Sequence, residues 1–190
     1  MPIPPILRRP KPGALLKRRR GTVSSLPCYD DRGTAALEFA IILPLFLGLV
    51  FMILQLALVF AAQELMDNAA HNAARLMRIG TYTGSDYADA LTSGICNDLS
   101  PSGVTLIKAC SSTIQIYVAA APSGAPAGTG FTLLSPASVT NGTMSTGKAS
   151  LNGKYDVLLQ IGYNYPWFIA LPTSGSTLLI ATTAFQTEAY

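Results

Sequence analysis

Two residues near one point of this sequence attract attention first: a carboxylate, Glu38, and a glycine, Gly33, five positions before it. Glu38 directly precedes residues 39–62, a stretch without a single charged side chain. A carboxylate near a bilayer core costs a few kcal/mol unless it is neutralised or paired. From the residues alone, Glu38 either pairs with a cation or lies at the headgroup level, where it favours the positive end of a helix.

The other residues with chemical potential do not form a known catalytic or metal-binding set. The only histidine, His71, lies between Asp67 and Arg75, each four positions away. This spacing is typical of the solvent-exposed side of a helix. The sequence contains no Ser–His–Asp set, C-x-x-C, H-E-x-x-H or glycine-rich phosphate loop. We therefore expect no enzyme, no metal, no cofactor and no small-molecule substrate.

Composition and charge indicate a membrane protein. Of the 190 residues, 49% are hydrophobic and 12% charged, whereas soluble domains carry about 25% charged residues. Residues 1–37 contain eight basic and two acidic residues, and residues 63–190 contain five basic and seven acidic ones. Because cytoplasmic flanks of membrane spans are enriched in Lys and Arg, the N-terminus is predicted to be cytoplasmic. A basic head that binds nucleic acid is the weaker alternative.

The hydrophobic pattern divides the N-terminal part into three segments. Residues 1–33 are rich in proline and basic residues and are predicted to be an unstructured leader. Residues 34–62 are predicted to form a transmembrane helix, since the uncharged stretch reaches about 36 Å and a hydrocarbon core is about 30 Å thick. A secretory signal cut after Ala62 is the alternative, but its apolar stretch would be only about 7–15 residues long.

The helix is predicted to continue past the membrane as an amphipathic helix over residues 63–80, ending at Gly80. Pro44 is expected to kink the span or to remove one hydrogen bond. The predicted apolar stripe of the amphipathic part consists of Ala62, Leu65, Ala69, Ala73 and Leu76.

Residues 81–190 are predicted to form a globular domain with a small antiparallel sheet. A short helix is expected from Ser85 to Ile95. Residues 155–166 alternate apolar and polar side chains, as in a sheet with one face packed on a helix. Residues 121–154, rich in Gly, Ser, Thr and Ala, are predicted to be a long flexible exposed loop. The predicted fold class is α+β, with strands over 104–110, 113–120, 155–166 and 176–187.

The stretch RGTAALEFAIILP, residues 32–44, resembles the N-terminal signal of type IV pilins and pseudopilins, in which a peptidase cuts after a glycine and the fifth mature residue is Glu. More narrowly, it resembles the TadE-like family, pseudopilins of the Tad (Flp) pilus system. The strings YNYPWF and TTAFQTEAY near the C-terminus are loosely similar to that family's closing strands.

The resemblance implies an assembly protein rather than an enzyme. A prepilin peptidase would cut between Gly33 and Thr34, and Glu38 would act in assembly. The protein would be held in the bacterial inner membrane by a single span, with its C-terminal domain in the periplasm. Its partners would be the peptidase, other Tad pseudopilins and pilin subunits, and the inner-membrane assembly machinery.

The implied membrane topology determines which compartment each cysteine faces. Cys28 lies in the leader, on the reducing side, whereas Cys96 and Cys110 both fall in the oxidising periplasm, where an even pair predicts a disulfide. Two free buried thiols are the alternative. The closest alternative function is a single-pass membrane protein with a periplasmic binding or structural module that is not processed as a pilin.

Overall fold

A computed structural model describes residues 31–100, 106–124, 128–167 and 175–189. Most of the predicted leader, including Cys28, lies outside the described residues. The first element is helix α1, Asp31–Arg78, which includes Pro44. Among the described helices, it is the one that is long and apolar enough to cross a membrane.

The end of α1 is fixed by its own backbone. Gly80 has φ 80°, a left-handed conformation that glycine adopts without a Cβ penalty. Its N–H donates to the carbonyl of Met77 at 3.2 Å, and the N–H of Thr81 donates to the carbonyl of Leu76 at 2.9 Å. These two bonds make a Schellman motif, which confirms the predicted helix end at Gly80.

Two short helices and six strands follow in the C-terminal part. Helix α2 spans Ala88–Asp98 and helix α3 spans Cys110–Thr113. The long strands are β1, Gln115–Pro122, β5, Tyr155–Pro166, and β6, Ser176–Gln186. Between β1 and β5 lie a 3-10 helix, Thr129–Leu133, and the two-residue strands β2, Val139–Thr140, β3, Thr143–Met144, and β4, Gly147–Lys148.

The main sheet has the strand order β4-β1-β5-β6. β5 pairs antiparallel with β1 and with β6, and the two-residue β4 runs parallel to β1. The predicted α+β class is confirmed. Of the predicted strands, 104–110 is wrong in its described part: Ala109 adopts φ 50° and α3 begins at Cys110, so a turn and a helix replace an extended chain.

One face of the sheet packs on α1 and α2 to form the core. Val157, Leu159 and Ile161 of β5 are fully buried there, as their alternation predicted. From α1, Met66 and Met77 are fully buried, whereas the predicted stripe residues Leu65 and Leu76 are only half-buried. The buried residues of α1 in the core are Ala62, Met66, Ala69, Ala70, Ala73 and Met77.

The other face of the sheet is covered by part of the segment predicted as an exposed loop. The N–H of Ala137 donates to Oε1 of Gln160 at 2.7 Å, and an added Cβ at Gly162 would lie 3.1 Å from Cε of Met144. β2 and β3 form a hairpin whose turn residues Asn141 and Gly142 have φ 52° and 75°. Asn-Gly with both φ positive is typical of a tight hairpin turn, so this dipeptide is a turn, as interpreted from the sequence.

Candidate functional site

The predicted processing and assembly residues lie together at the N-terminal end of α1. The structure describes Gly33 and Glu38 as exposed and Thr34 as half-buried. Thr34 and Glu38 are four positions apart in the helix and therefore project from the same side. An accessible glycine and an accessible carboxylate thus occur on one helical segment.

Gly33 is not required by the packing of this segment. A Cβ added at this position would meet nothing within 4 Å, and glycine inside a helix costs about 1 kcal/mol relative to alanine. The helix would therefore be more stable with alanine here. Neither a tight contact nor a positive φ therefore requires glycine at position 33.

Large apolar side chains cover the surface of α1 beyond Glu38. Phe39 is 63% exposed, Ile41 69% and Leu45 79%. Water is a poor solvent for such a surface. Burying one large apolar side chain fully would contribute about 1.5–3 kcal/mol of stabilising free energy, which an exposed side chain lacks. Further exposed members are Ile42, Phe46, Leu49, Phe51, Met52, Ile53, Leu54 and Phe60. This surface requires lipid or other apolar chains around it.

Gln55 is the single polar side chain within residues 39–62, and sequence analysis did not single it out. It is only 3% exposed, in contrast to its large apolar neighbours. Burial removes a polar group from water, which costs free energy unless the group is hydrogen-bonded. Its burial could have been suspected from the sequence, because it is a lone Gln within a predicted span.

The two cysteines singled out from the sequence are joined. A disulfide links Cys96, near the end of α2, to Cys110, the first residue of α3. Their Cα atoms are 5.7 Å apart, and the sequence separation is 14. The bond holds the two short helices together across residues 101–105, which lie outside the described residues.

His71 is exposed on α1 and lines a groove with Arg75, Arg78 and part of β6. No carboxylate or hydroxyl side chain is hydrogen-bonded to it in the described part of the chain. In those same residues, no group of three His, Cys, Asp or Glu side chains is placed to hold a metal ion.

A buried carboxylate, Asp156, was not anticipated. It is fully buried on the covered face of the sheet, and neither of its oxygens has a hydrogen-bond partner among the described residues. An added Cβ at Gly130 would lie 2.8 Å from its Oδ2, so glycine is needed there for the close approach of the 3-10 helix. The sequence indicated that one face of β5 is polar, but it did not indicate that another segment of the chain covers this face.

Comparison with known proteins adds one finding. Residues 33–75 match the TadE-like protein family, and the match begins at Gly33 and runs along α1. That pilus-associated family is generally structural rather than enzymatic. The comparison with curated proteins and the comparison with solved structures each gave no match. The helical segment of residues 33–75 is therefore TadE-like, which confirms the resemblance seen in its sequence.

Proposed function

We propose that this chain is a TadE-like pseudopilin, or minor pilin, that takes part in assembly of a Tad pilus. The observation that carries the proposal is the TadE-like match, which starts at the accessible Gly33. The match continues into a helix whose large apolar side chains are exposed. Such a helix suits both a membrane and, once extracted from it, packing against other subunits.

Charge and chemistry support the proposed location. The basic residues before the span would stay in the cytoplasm. The C-terminal domain would then lie in the periplasm and the protein in the inner membrane. A disulfide between Cys96 and Cys110 suits that oxidising compartment. The proposed partners are a prepilin peptidase, other Tad pseudopilins and pilin subunits, and the inner-membrane machinery that assembles them.

The proposed processing step is cleavage of the peptide bond between Gly33 and Thr34 by the peptidase. Water adds across this bond, so the leader leaves with the Gly33 carboxylate and the mature chain begins with the Thr34 ammonium. The support for this site is a glycine that the fold does not need, at the first position of the TadE-like match.

Glu38 would then have a cation to pair with. A carboxylate about 4 Å from an ammonium gains roughly 4 kcal/mol at an effective dielectric constant near 20, before desolvation. The ammonium is either that of the same chain, one helical turn away, or that of a neighbouring subunit. The pilin-like motif favours the neighbour, because a contact between chains would set their axial register.

Cleavage is tested with two glycines that differ in role but not in packing. Positions 33 and 48 both have open space, since an added Cβ meets nothing within 4 Å at either. Gly33→Phe should leave uncut precursor accumulating in the membrane, whereas Gly48→Phe should be cut like the wild type. Immunoblotting of membrane fractions separates the two lengths. Equal cleavage of both variants would overturn processing at Gly33.

The assembly role is tested with two exposed glutamates of α1. Glu38→Gln should leave cleavage and membrane insertion intact but sharply reduce cross-linking from the helix to other pilins. Glu64→Gln, an exposed position outside the apolar stretch, should change neither. Unchanged cross-linking and normal piliation in Glu38→Gln would reduce Glu38 to a residue that stabilises its own helix end.

A further inference from the structure

Strand β6 forms one edge of the main sheet. It pairs with β5 on one side, and no described strand pairs with it on the other. The opposite edge of the sheet is the two-residue β4. An edge strand presents a row of N–H and C=O groups that can pair with another chain, and β6 is by far the longer of the two edges.

Helix α1 occupies this edge at two places. Nε2 of Gln63 donates to the carbonyl of Ile180 at 3.1 Å, and the N–H of Glu188 donates to the carbonyl of Arg78 at 3.0 Å. Both bonds use backbone groups at even-numbered positions. Within β6, the contact at Ile180 identifies the even positions as those whose backbone groups point away from β5. Glu188 lies beyond the end of the strand, where its carbonyl instead accepts from the N–H of Lys154 at 3.3 Å.

Three residues between those contacts share the outward direction. Backbone groups of an antiparallel strand alternate between its two sides, so Thr182, Ala184 and Gln186 direct their N–H and C=O groups outward. The N–H of Thr187, at an odd position, donates to the carbonyl of Tyr155, the first residue of β5, as this alternation requires. Thr182 and Ala184 are exposed, and no main-chain bond on the outward side occupies them in the described part of the chain.

A groove of about 340 Å³ runs beside this free stretch of β6. Its helix side is lined by His71, Arg75 and Arg78, and its strand side by residues 183–185. The three outward positions span about 13 Å at a rise of about 3.3 Å per residue. The groove therefore places unpaired backbone groups opposite a row of basic side chains.

The charge of the groove favours an anionic side chain. The carboxylate of Glu188 lies 3.8 Å from Nε of Arg78, but both side chains are at least 60% exposed. Exposed pairs of this kind contribute at most about 1 kcal/mol, so Arg78 is available to a second carboxylate. Arg75 is also exposed and has no ion pair among the described residues.

We propose that this groove binds an extended segment of a partner protein that bears acidic side chains and adds to β6 as a further strand. Backbone bonds to Ala184 and its outward neighbours would hold the segment, and Arg75 and Arg78 would select its carboxylates. Strand addition at a sheet edge is a general mode of peptide recognition. This interaction goes beyond the proposed processing and does not depend on Gly33 or Glu38.

The test uses the full chain in detergent and a short, end-capped fluorescent peptide in which valine and glutamate alternate. Anisotropy should show binding that weakens with added salt, since surface charges are screened. The matching peptide with lysine in place of glutamate should not bind. Failure of the wild-type protein to bind the acidic peptide would overturn the proposal.

Ala184→Pro removes one outward N–H without touching the ladder to β5, a substitution that edge strands tolerate. It should weaken binding about tenfold, the loss expected for one hydrogen bond, while Ala184→Ser should bind like the wild type. If Ala184→Pro binds equally well and inorganic phosphate displaces the peptide, the groove is a simple anion site and strand addition is wrong.

The charge contribution is measured separately. Arg75→Gln should weaken binding about two- to fivefold, whereas Lys108→Gln, outside the groove, should not. If Ala184→Pro does not fold, Arg75→Glu decides instead: it should lose the acidic peptide and gain the lysine peptide. The wild type could instead self-associate in a way that blocks peptide binding and that Arg75→Glu does not change. That result would assign the edge to a second copy of the chain and contradict the proposal.

Discussion

Two stretches of helix α1 invert the usual relation between side-chain size and burial. Residues 43–60 are rich in Leu, Ile and Phe, and most of these large side chains are exposed. Residues 62–77 bury alanines together with Met66 and Met77. In a water-soluble helix the large apolar side chains would form the core, so composition alone would select the wrong stretch.

The inversion follows from what surrounds each stretch. Small side chains let the helix approach the sheet closely, and the two buried methionines fill the remaining gaps because their unbranched chains adapt to irregular space. The exposed stretch has no sheet to pack on. Its side chains suit lipid or the helices of other subunits, which is the environment that the proposed function supplies.

The largest expected effect comes from placing a charge in each stretch. Met66→Asp should destabilise the C-terminal domain by at least about 3 kcal/mol, because Met66 is fully buried and an unpaired buried charge is costly. Leu54→Asp, at a position 53% exposed, should leave that domain folded but cost about 2.5–3.5 kcal/mol of membrane insertion. Thermal unfolding in detergent and membrane fractionation separate the two effects. Equal destabilisation by both would remove the distinction between the stretches.

Loss of the disulfide should affect the globular part alone. Cys96→Ala should lower its free energy of unfolding by about 2–4 kcal/mol, since the bond closes a loop with a sequence separation of 14. Cleavage and membrane insertion should not change. Non-reducing peptide mapping should find Cys96 linked to Cys110, and ready alkylation of both thiols without reductant would contradict the linkage.

Asp156 tests the covered face of the sheet. Its carboxylate is fully buried without a hydrogen-bond partner among the described residues. Because a neutral amide costs less to bury than an ionised carboxylate, Asp156→Asn should raise the stability of the domain at pH 7. Denaturant unfolding measures the change. A lower stability would mean that the carboxylate is held by a favourable interaction.

The smallest expected effect concerns Tyr87, whose hydroxyl donates to the carbonyl of Ala149 at 2.6 Å. Tyr87→Phe should cost about 1 kcal/mol at pH 7 through the lost bond. Burial raises the pKa of Tyr87 to about 12. Between its ordinary value of about 10 and this raised value, the unfolded chain releases a proton that the folded chain keeps. Stability therefore falls as the pH rises through this range.

Tyr87→Phe should lessen that alkaline loss without abolishing it. Burial, and to a smaller extent the neighbouring Tyr163, also raises the pKa of Tyr165. Unfolding curves collected from pH 9 to 12 should show a shallower decline for the variant, and an identical decline in both proteins would contradict the assignment to Tyr87.

Sequence patterns over a few residues correctly predicted the elements whose structure depends on neighbouring residues. The alternation in 155–166 indicated β5, and the glycine at position 80 indicated the end of α1 because it forms a Schellman motif there. The cover over Asp156 and Gln160 was missed because it depends on contacts distant in sequence. The stripe of α1 was placed slightly wrong: Met66 and Met77, each one position after the predicted Leu65 and Leu76, are the fully buried residues, and both sets fit helical spacing.

The mature form of the proposed TadE-like pseudopilin begins at Thr34, once its leader is removed. Intact-mass analysis of the membrane-extracted protein tests this most directly. We predict the mass of residues 34–190 with the Cys96–Cys110 disulfide in place. A chain that retains its first 33 residues, or one that starts near Gln63, would contradict the claim and favour a membrane-anchored or secreted protein that is not processed as a pilin.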